Sequence, residues 1–249
     1  MTTAQKISEH CSRLRLYQLP KVFEKKCIEA REKELTHAEF LCELLETEVR
    51  SRDEKDLMKR LRAANLPPRH DLDEFDFNYS HAMSKSRMKE LRELTWMEQA
   101  YNIILMGPSG TGKTFIASGL VHEAVKAGFR ASIMTMEDLV TTLRLKDLTP
   151  TCLAAYNRLL KLHLLAIDDI MMFPMKKEEA NAFFNLVNTM HEKASIIVTT
   201  NKAPTEWAQR LDDEVLATAI LDRLMYRCQI IKLSGESYRM ANRKTIFKD

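Results

Sequence analysis

The residues Gly107-Pro108-Ser109-Gly110-Thr111-Gly112-Lys113-Thr114 fit the pattern G-x-x-x-x-G-K-[ST] at every position. Three glycines let the backbone turn tightly, so that its N–H groups and a following helix N-terminus point at an anion. The Lys113 ammonium can then reach the outer phosphates of a nucleoside triphosphate, the Thr114 hydroxyl can ligate Mg²⁺, and Phe115 follows at the edge of the site. A second constellation, Asp168-Asp169, ends the apolar run Leu162-His163-Leu164-Leu165-Ala166-Ile167. A carboxylate there can hold Mg²⁺ beside Thr114, and the next can orient or deprotonate an attacking water. Asn201 ends a third apolar run, Ala194 to Thr200. If the two strands are neighbours, Asn201 is expected level with Asp168, where its amide can bond the water or the terminal phosphate. A turn-forming asparagine before Lys202-Ala203-Pro204 accounts for it equally well.

These residues need a frame of parallel strands and helices. Tyr101 to Met106 predicts a buried strand and Phe115 to Val125 the helix after the loop, ended by Gly128. Arg130–Thr135 predicts a second strand, 137–145 and 151–160 two helices, 177–191 another, 211–224 another and 228–233 a last strand. His163 reads as a core histidine inside its strand. The alternation predicts an α/β nucleotide-binding core with helices on both faces of a parallel sheet.

Residues 4–63 hold one proline and read as helices, with Thr36 and Glu39 as a capping box and Phe40, Leu41, Leu44, Leu45 and Val49 on one face. The mixed-charge run 50–62 reads as a solvated helix face or, alternatively, a phosphate-contacting surface. Asn65-Leu66-Pro67-Pro68 breaks the helix, giving an all-helical N-terminal domain at 1–68 and the α/β domain at 69–249. Residues 71–79 read as an extended lead-in whose Phe75, Phe77 and Tyr79 pack on the α/β domain, and 84–99 as one helix.

A net charge of +3 from 38 basic and 35 acidic side chains does not by itself argue for nucleic acid. The lopsided stretch is the end, where Arg223, Arg227, Lys232, Arg239, Arg243, Lys244 and Lys248 face only Glu236 and Asp249. Five scattered cysteines without metal-ligand spacing predict buried free thiols in a reducing cytoplasm, and no run is long and apolar enough for a membrane span.

With these motifs in order, the sequence resembles the IstB-like transposition helper ATPases, which are similar to the helicase loader DnaC and belong to the AAA+ class. The phosphate loop, Asp168-Asp169, Thr199-Thr200-Asn201, Ile220-Leu221-Asp222-Arg223-Leu224 and Gly235-Glu236-Ser237-Tyr238-Arg239 carry the likeness, as does Phe75-Asp76-Phe77. It implies ATP and Mg²⁺ as ligands, Asn201 as a sensor, Arg223 as an arginine finger in a neighbouring subunit's site and Arg239 as a second sensor. It also implies a homo-oligomer on double-stranded DNA serving a transposase, with backbone contacts from the helices after the second strand, among them Arg144, Lys146, Arg158 and Lys161. Ser109 and Thr111 stand where the family often has proline and valine, and Asp169 where many AAA+ proteins carry glutamate. A DnaC-type helicase loader is the nearest alternative, distinguished by a stable helicase complex and single-strand preference. A small-molecule kinase is more distant.

Overall fold

The computed structural model describes residues 1–79, 83–170, 175–203, 206–207 and 213–243. Lys244 and Lys248 of the basic tail lie outside them. The chain divides into two compact units, Met1–Lys59 and Arg60–Asp249.

The first unit is helical: α1 (Thr3–Arg13), α2 (Leu19–Glu32) and most of α3 (His37–Ala63). Thr36 and Glu39 form the expected capping box, the Glu39 carboxylate accepting the Thr36 N–H at 2.8 Å and Thr36 Oγ1 accepting the Glu39 N–H at 3.3 Å. The buried centre is Cys11, Leu19 and Leu44, with Ile7, Leu16, Phe23 and Phe40 around it. The expected α3 face is therefore split. Phe40 and Leu44 turn inward, while Leu41, Leu45 and Val49 are exposed.

The inward row continues to Glu48, which is only 4% exposed. Its carboxylate accepts the backbone N–H groups of Tyr17 at 3.1 Å, Gln18 at 2.7 Å and Leu19 at 3.3 Å. These are orphan donors at the start of α2, whose next residue, Pro20, has no N–H to satisfy. Burial pushes the Glu48 carboxyl up, but the three N–H bonds and Arg52 outweigh it and hold it below the usual carboxylate range. Arg52 and Lys59 of the mixed-charge run bond Glu48 and Asp56 locally.

In the second unit a five-stranded sheet has the order β2-β3-β4-β1-β5. Its strands are β1 (Asn102–Met106), β2 (Ala131–Thr135), β3 (Leu164–Asp168), β4 (Ser195–Thr200) and β5 (Cys228–Lys232), and they pair in parallel. The central strands are buried, as continuous Ile/Leu/Val runs require when helices cover both faces. The helices are α4 (Lys85–Arg92), α5 (Thr95–Glu98), α6 (Lys113–Lys126), α7 (Met136–Leu145), α8 (Pro150–Leu159), α9 (Lys177–Met190), α10 (Glu214–Met225) and the short α11 (Tyr238–Ala241). The expected fold, a parallel α/β core after a small helical domain, is present.

Local readings needed correction in four places. The helix expected over 84–99 is broken at Leu94, whose φ of +58° takes the backbone out of the helical region, leaving α4 and α5. The helix expected from 211 is described from Glu214, capped by the Asp213 side chain; 211 and 212 lie outside the described residues. His163 precedes β3 and is half-buried, its Nδ1 accepting the Arg130 N–H at 3.1 Å. Of the five free cysteines only Cys11 is buried.

Two polar groups tie the sheet to its surroundings. Buried Asn102 donates through Nδ2 to the Leu224 carbonyl at 3.0 Å and accepts the Ile196 N–H at 2.8 Å, so one amide joins β1, β4 and α10. At the β2 edge, the Ala64 carbonyl accepts the Ile133 N–H at 2.9 Å and the Ser132 hydroxyl at 3.3 Å. No described helix is long and apolar enough to cross a membrane.

Candidate functional site

Strand β1 delivers the glycine-rich loop at its C-terminal end and α6 leaves from it, so the first helical N–H groups face the same space as the loop amides. Gly110 and Gly112 have φ of +84° and +94°, which only glycine adopts without strain. A Cβ on Gly110 would lie 2.1 Å from Ser237 Oγ, and one on Gly107 2.2 Å from the Leu233 carbonyl oxygen. The loop is packed on the segment after β5. The Tyr238 N–H donates to the Gly110 carbonyl at 3.0 Å, and the Leu233 N–H donates to the Met106 carbonyl at 2.6 Å.

Lys113 is buried and donates to the carbonyls of Gly107 at 2.8 Å and Pro108 at 2.7 Å. Burial pushes its ammonium below the usual lysine range and Arg239 adds to this, whereas the carboxylates of Asp169 and Asp168 act in the opposite direction. Thr111 Oγ1 closes the turn on the Pro108 carbonyl at 2.9 Å.

Thr114 and Asp168 meet across the floor, Thr114 Oγ1 lying 2.9 Å and 3.1 Å from the two carboxylate oxygens. The pair is a hard-oxygen donor set of the kind Mg²⁺ takes beside phosphate. Together with the cradle and Lys113 it fits a nucleoside triphosphate with its divalent ion. Asp169 sits one residue further at φ +55°. Burial first, then the Asp168 carboxylate, raise its carboxyl above the usual range, against the pull of Lys113 and Arg239. Arg239 is thus electrostatically part of the loop site.

The neighbouring residue on β4 is not Asn201. Strands β3 and β4 are adjacent, but Ile167 pairs with Val198, so Asp168 falls beside Thr199 and Asn201 lies beyond the strand end, exposed. The sequence marks Thr199 only as part of the Thr199-Thr200-Asn201 stretch and gives it no role of its own. Thr199 is wholly buried, and its Oγ1 lies 2.5 Å from Asp168 Oδ1 and accepts the Asp169 N–H at 2.9 Å.

A cleft of about 330 Å³ opens beside the loop, its walls including Pro67, Phe75, Tyr79, Thr114, Tyr238 and Arg239. The Phe75 ring lies 6.1 Å from Phe115, and Tyr79 meets Tyr238 edge-on at 5.1 Å, so the lead-in aromatics pack on the α/β unit. A larger groove of about 600 Å³ among Leu72, Phe77, Lys85 and Met88 contains no phosphate-loop residue. The chemistry selects the smaller cleft.

Arg223 is not at this site. Its guanidinium lies 4.7 Å from the Phe184 ring centre, donates through Nε to Asn188 at 2.7 Å and through Nη1 to the Ala219 carbonyl at 3.0 Å. Of the basic residues in the segment after β2, Arg144 faces Glu179 at 3.6 Å and Lys146 lies 4.6 Å from the Tyr156 ring centre. Arg158 and Lys161 are exposed.

The sheet order, with a phosphate loop leaving β1, a carboxylate at the end of β3 and β4 between the two strands, is that of a AAA+ nucleotide-binding domain. In solved structures the same fold appears in DnaI (TM-score 0.56, 19% identity, covering 67% of this chain and 92% of that one). The DnaC helicase loader shares it as well (TM-score 0.53, 17% identity, 66% and 97%). Within that class the chain belongs to the family of IstB-like ATP binding proteins, whose model matches residues 9–246. It is 52% identical over 221 residues to an ATP-binding protein of an IS21-like insertion sequence of Bacteroides fragilis, covering 89% of this chain and 84% of the relative. A Pseudomonas aeruginosa IS21 ATP-binding protein is 38% identical over 233 residues, 94% of this chain and 88% of the relative.

Proposed function

We propose that the chain is an ATP-hydrolysing, DNA-binding protein that assembles with copies of itself on double-stranded DNA and helps a transposase select or capture target DNA. The observation that carries it is the Thr114–Asp168 contact beneath the glycine-rich loop. It sets a hydroxyl and a carboxylate together at the loop that also carries the Lys113 ammonium. The insertion-sequence origin of the relatives supports the role in transposition.

In this reading residues 107–115 hold the nucleotide. The loop and α6 amides bond the phosphates, and Lys113 moves from the Gly107 and Pro108 carbonyls onto the outer phosphates. Thr114 and Asp168 hold Mg²⁺, which when bound supplies neutralising charge on the phosphate oxygens. Asp169 takes a proton from the attacking water, and burial together with the Asp168 carboxylate, which raise its pKa, make it a better base than an ordinary aspartate. Arg239 adds positive charge to the same space. Asn201, just past the β4 end, senses the terminal phosphate, and Arg223, on the side of α10 that meets α9, completes the site of a neighbouring subunit. Such a finger ties turnover to assembly, because one chain alone lacks a group that its own site needs.

Duplex contacts fall to the segment after β2, chiefly the exposed Arg158 and Lys161, with Arg144 and Lys146 beside them. Contacts to phosphates release counterions, so the logarithm of the affinity falls linearly with log salt, by about 0.9 in slope per neutralised phosphate. Duplex binding measured at several salt concentrations with a slowly hydrolysed ATP analogue tests this. Arg158→Ala with Lys161→Ala is expected to reduce the slope by about two units. An unchanged slope with assembly intact removes this segment from the interface. A stable complex with a replicative helicase and preference for single strands would instead favour a helicase loader.

A further inference from the structure

We infer that Thr199 is a positioning residue that locks the Asp168 carboxylate and the Asp169 backbone into one arrangement through a single hydroxyl. The inference rests on the reading of Asp168 as the metal carboxylate and Asp169 as the base. The proton placement follows from chemistry. The Asp169 amide at 2.9 Å can only donate, so the lone proton of Thr199 Oγ1 points at Asp168 Oδ1, 2.5 Å away. A hydrogen bond to a carboxylate is among the stronger kinds, and this one is shielded on the threonine side, where Thr199 is 0% exposed.

Two further contacts make Thr199 a junction. Asp168 Oδ1 also accepts from Thr114 Oγ1 at 2.9 Å, so two threonine hydroxyls from different elements hold the same oxygen. The Thr199 carbonyl accepts the Ile170 N–H at 2.9 Å, so Thr199 grips the chain on both sides of Asp169. Between these grips Asp169 adopts φ +55°, a left-handed conformation uncommon outside glycine though more accessible to aspartate than to most residues. That turn sets where the Asp169 side chain projects. A buried threonine could satisfy its hydroxyl on a strand carbonyl; here it spends the donor on the one carboxylate facing Thr114 and the acceptor on the next residue's amide.

The test compares Thr199→Val, which keeps the shape and removes both hydroxyl bonds, with Thr199→Ser, which keeps the hydroxyl. In the nucleotide-free chain, Thr199→Val is expected to speed hydrogen exchange at the Asp169 amide, and Thr199→Ser is not. For a fluorescent, slowly hydrolysed ATP analogue, Thr199→Val is expected to raise the Mg²⁺ concentration needed for half-maximal binding about 10–100-fold, the range for loss of a group that orients a metal ligand. Its affinity in EDTA stays unchanged. ATP turnover falls with kcat moving more than KM, and Thr199→Ser restores both properties. A valine variant equal to wild type in Mg²⁺ requirement and kcat overturns the inference, as does a serine variant as impaired as valine, which would mean that packing by the methyl group matters instead. Asp168→Asn separates the two levels. If it abolishes the Mg²⁺ dependence while Thr199→Val does not change it, the metal reading stands and the role of Thr199 falls. If Asp168→Asn has no effect, both fall.

Discussion

The backbone N–H of Tyr238 donates to the carbonyl of Gly110 at 3.0 Å, so the segment after the last strand braces the phosphate loop of its own chain. Ser237 sits where a Gly110 side chain would go, 2.1 Å from the ideal Cβ position. Gly110→Ala is therefore expected to push the two segments apart and to strain φ +84° as well. Calorimetric titration with an ATP analogue should show affinity at least tenfold weaker, about 1.4 kcal/mol, with the far-UV spectrum retained. Wild-type affinity would mean that the brace is unrelated to binding.

Lys113→Ala removes the only side chain of the loop that brings a full positive charge. Hydrogen bonds to charged groups contribute about 1.5–3 kcal/mol, so nucleotide affinity should fall roughly 10–100-fold. Asp169→Asn keeps the shape and loses the base; nucleotide binding should persist while single-turnover hydrolysis slows. Normal turnover in that variant would exclude Asp169 as the group that activates water.

Arg223 is stacked on Phe184 and bonded to Asn188, a rigid mount on the α9–α10 face. Arg223→Ala should bind nucleotide as well as wild type yet fail to hydrolyse it. Mixed with Lys113→Ala, which offers a finger but no working site, it should regain part of the activity. No regained activity in mixtures proven to co-assemble would refute action in trans.

Glu48 gives a pH prediction for the helical unit. Its carboxyl is held below the usual range in the fold and returns to about 4.3 in the unfolded chain. A lowered pKa contributes stability above the unfolded value, and that stability is lost as pH falls through the folded value. Hydrogen exchange at the Gln18 and Leu19 amides should accelerate as pH is lowered from about 5 toward 3, after correction for the intrinsic rate. Glu48→Gln should remove most of that pH dependence. Glu48→Ala leaves the buried Leu19 N–H unpaired and returns those of Tyr17 and Gln18 to water, and should destabilise the unit by about 1–3 kcal/mol.

Much of the frame was readable because parallel strands covered on both faces must be apolar throughout. Leu164 to Ile167 and Ile196 to Val198 announce themselves, and the loop pattern fixes the turn between β1 and α6. Thr199 could not be found this way. In Val198-Thr199-Thr200 a β-branched residue is simply a good strand former, and only the register of β4 against β3 puts its hydroxyl at Asp168. The same register displaced Asn201 from the expected level. In α3 the sequence carried two apolar rows one residue apart, and nothing local decides which of them finds neighbours. A glutamate continuing the inward row reads as solvent-facing until the bare N–H groups of α2 are known to lie over it. The break at Leu94 had no glycine or proline to mark it.

An open sheet has two free borders, and an unpaired strand border is a template on which another chain can crystallise into a growing ribbon. In this protein the β2 border is stoppered by one peptide carbonyl, that of Ala64, which occupies the outward N–H of Ile133. The residues just after α3 are thus a working part of the second unit. A chain cut after Pro67 to isolate the α/β unit would lose that stopper, and its misbehaviour in solution would come from an unsealed seam rather than from a damaged nucleotide site.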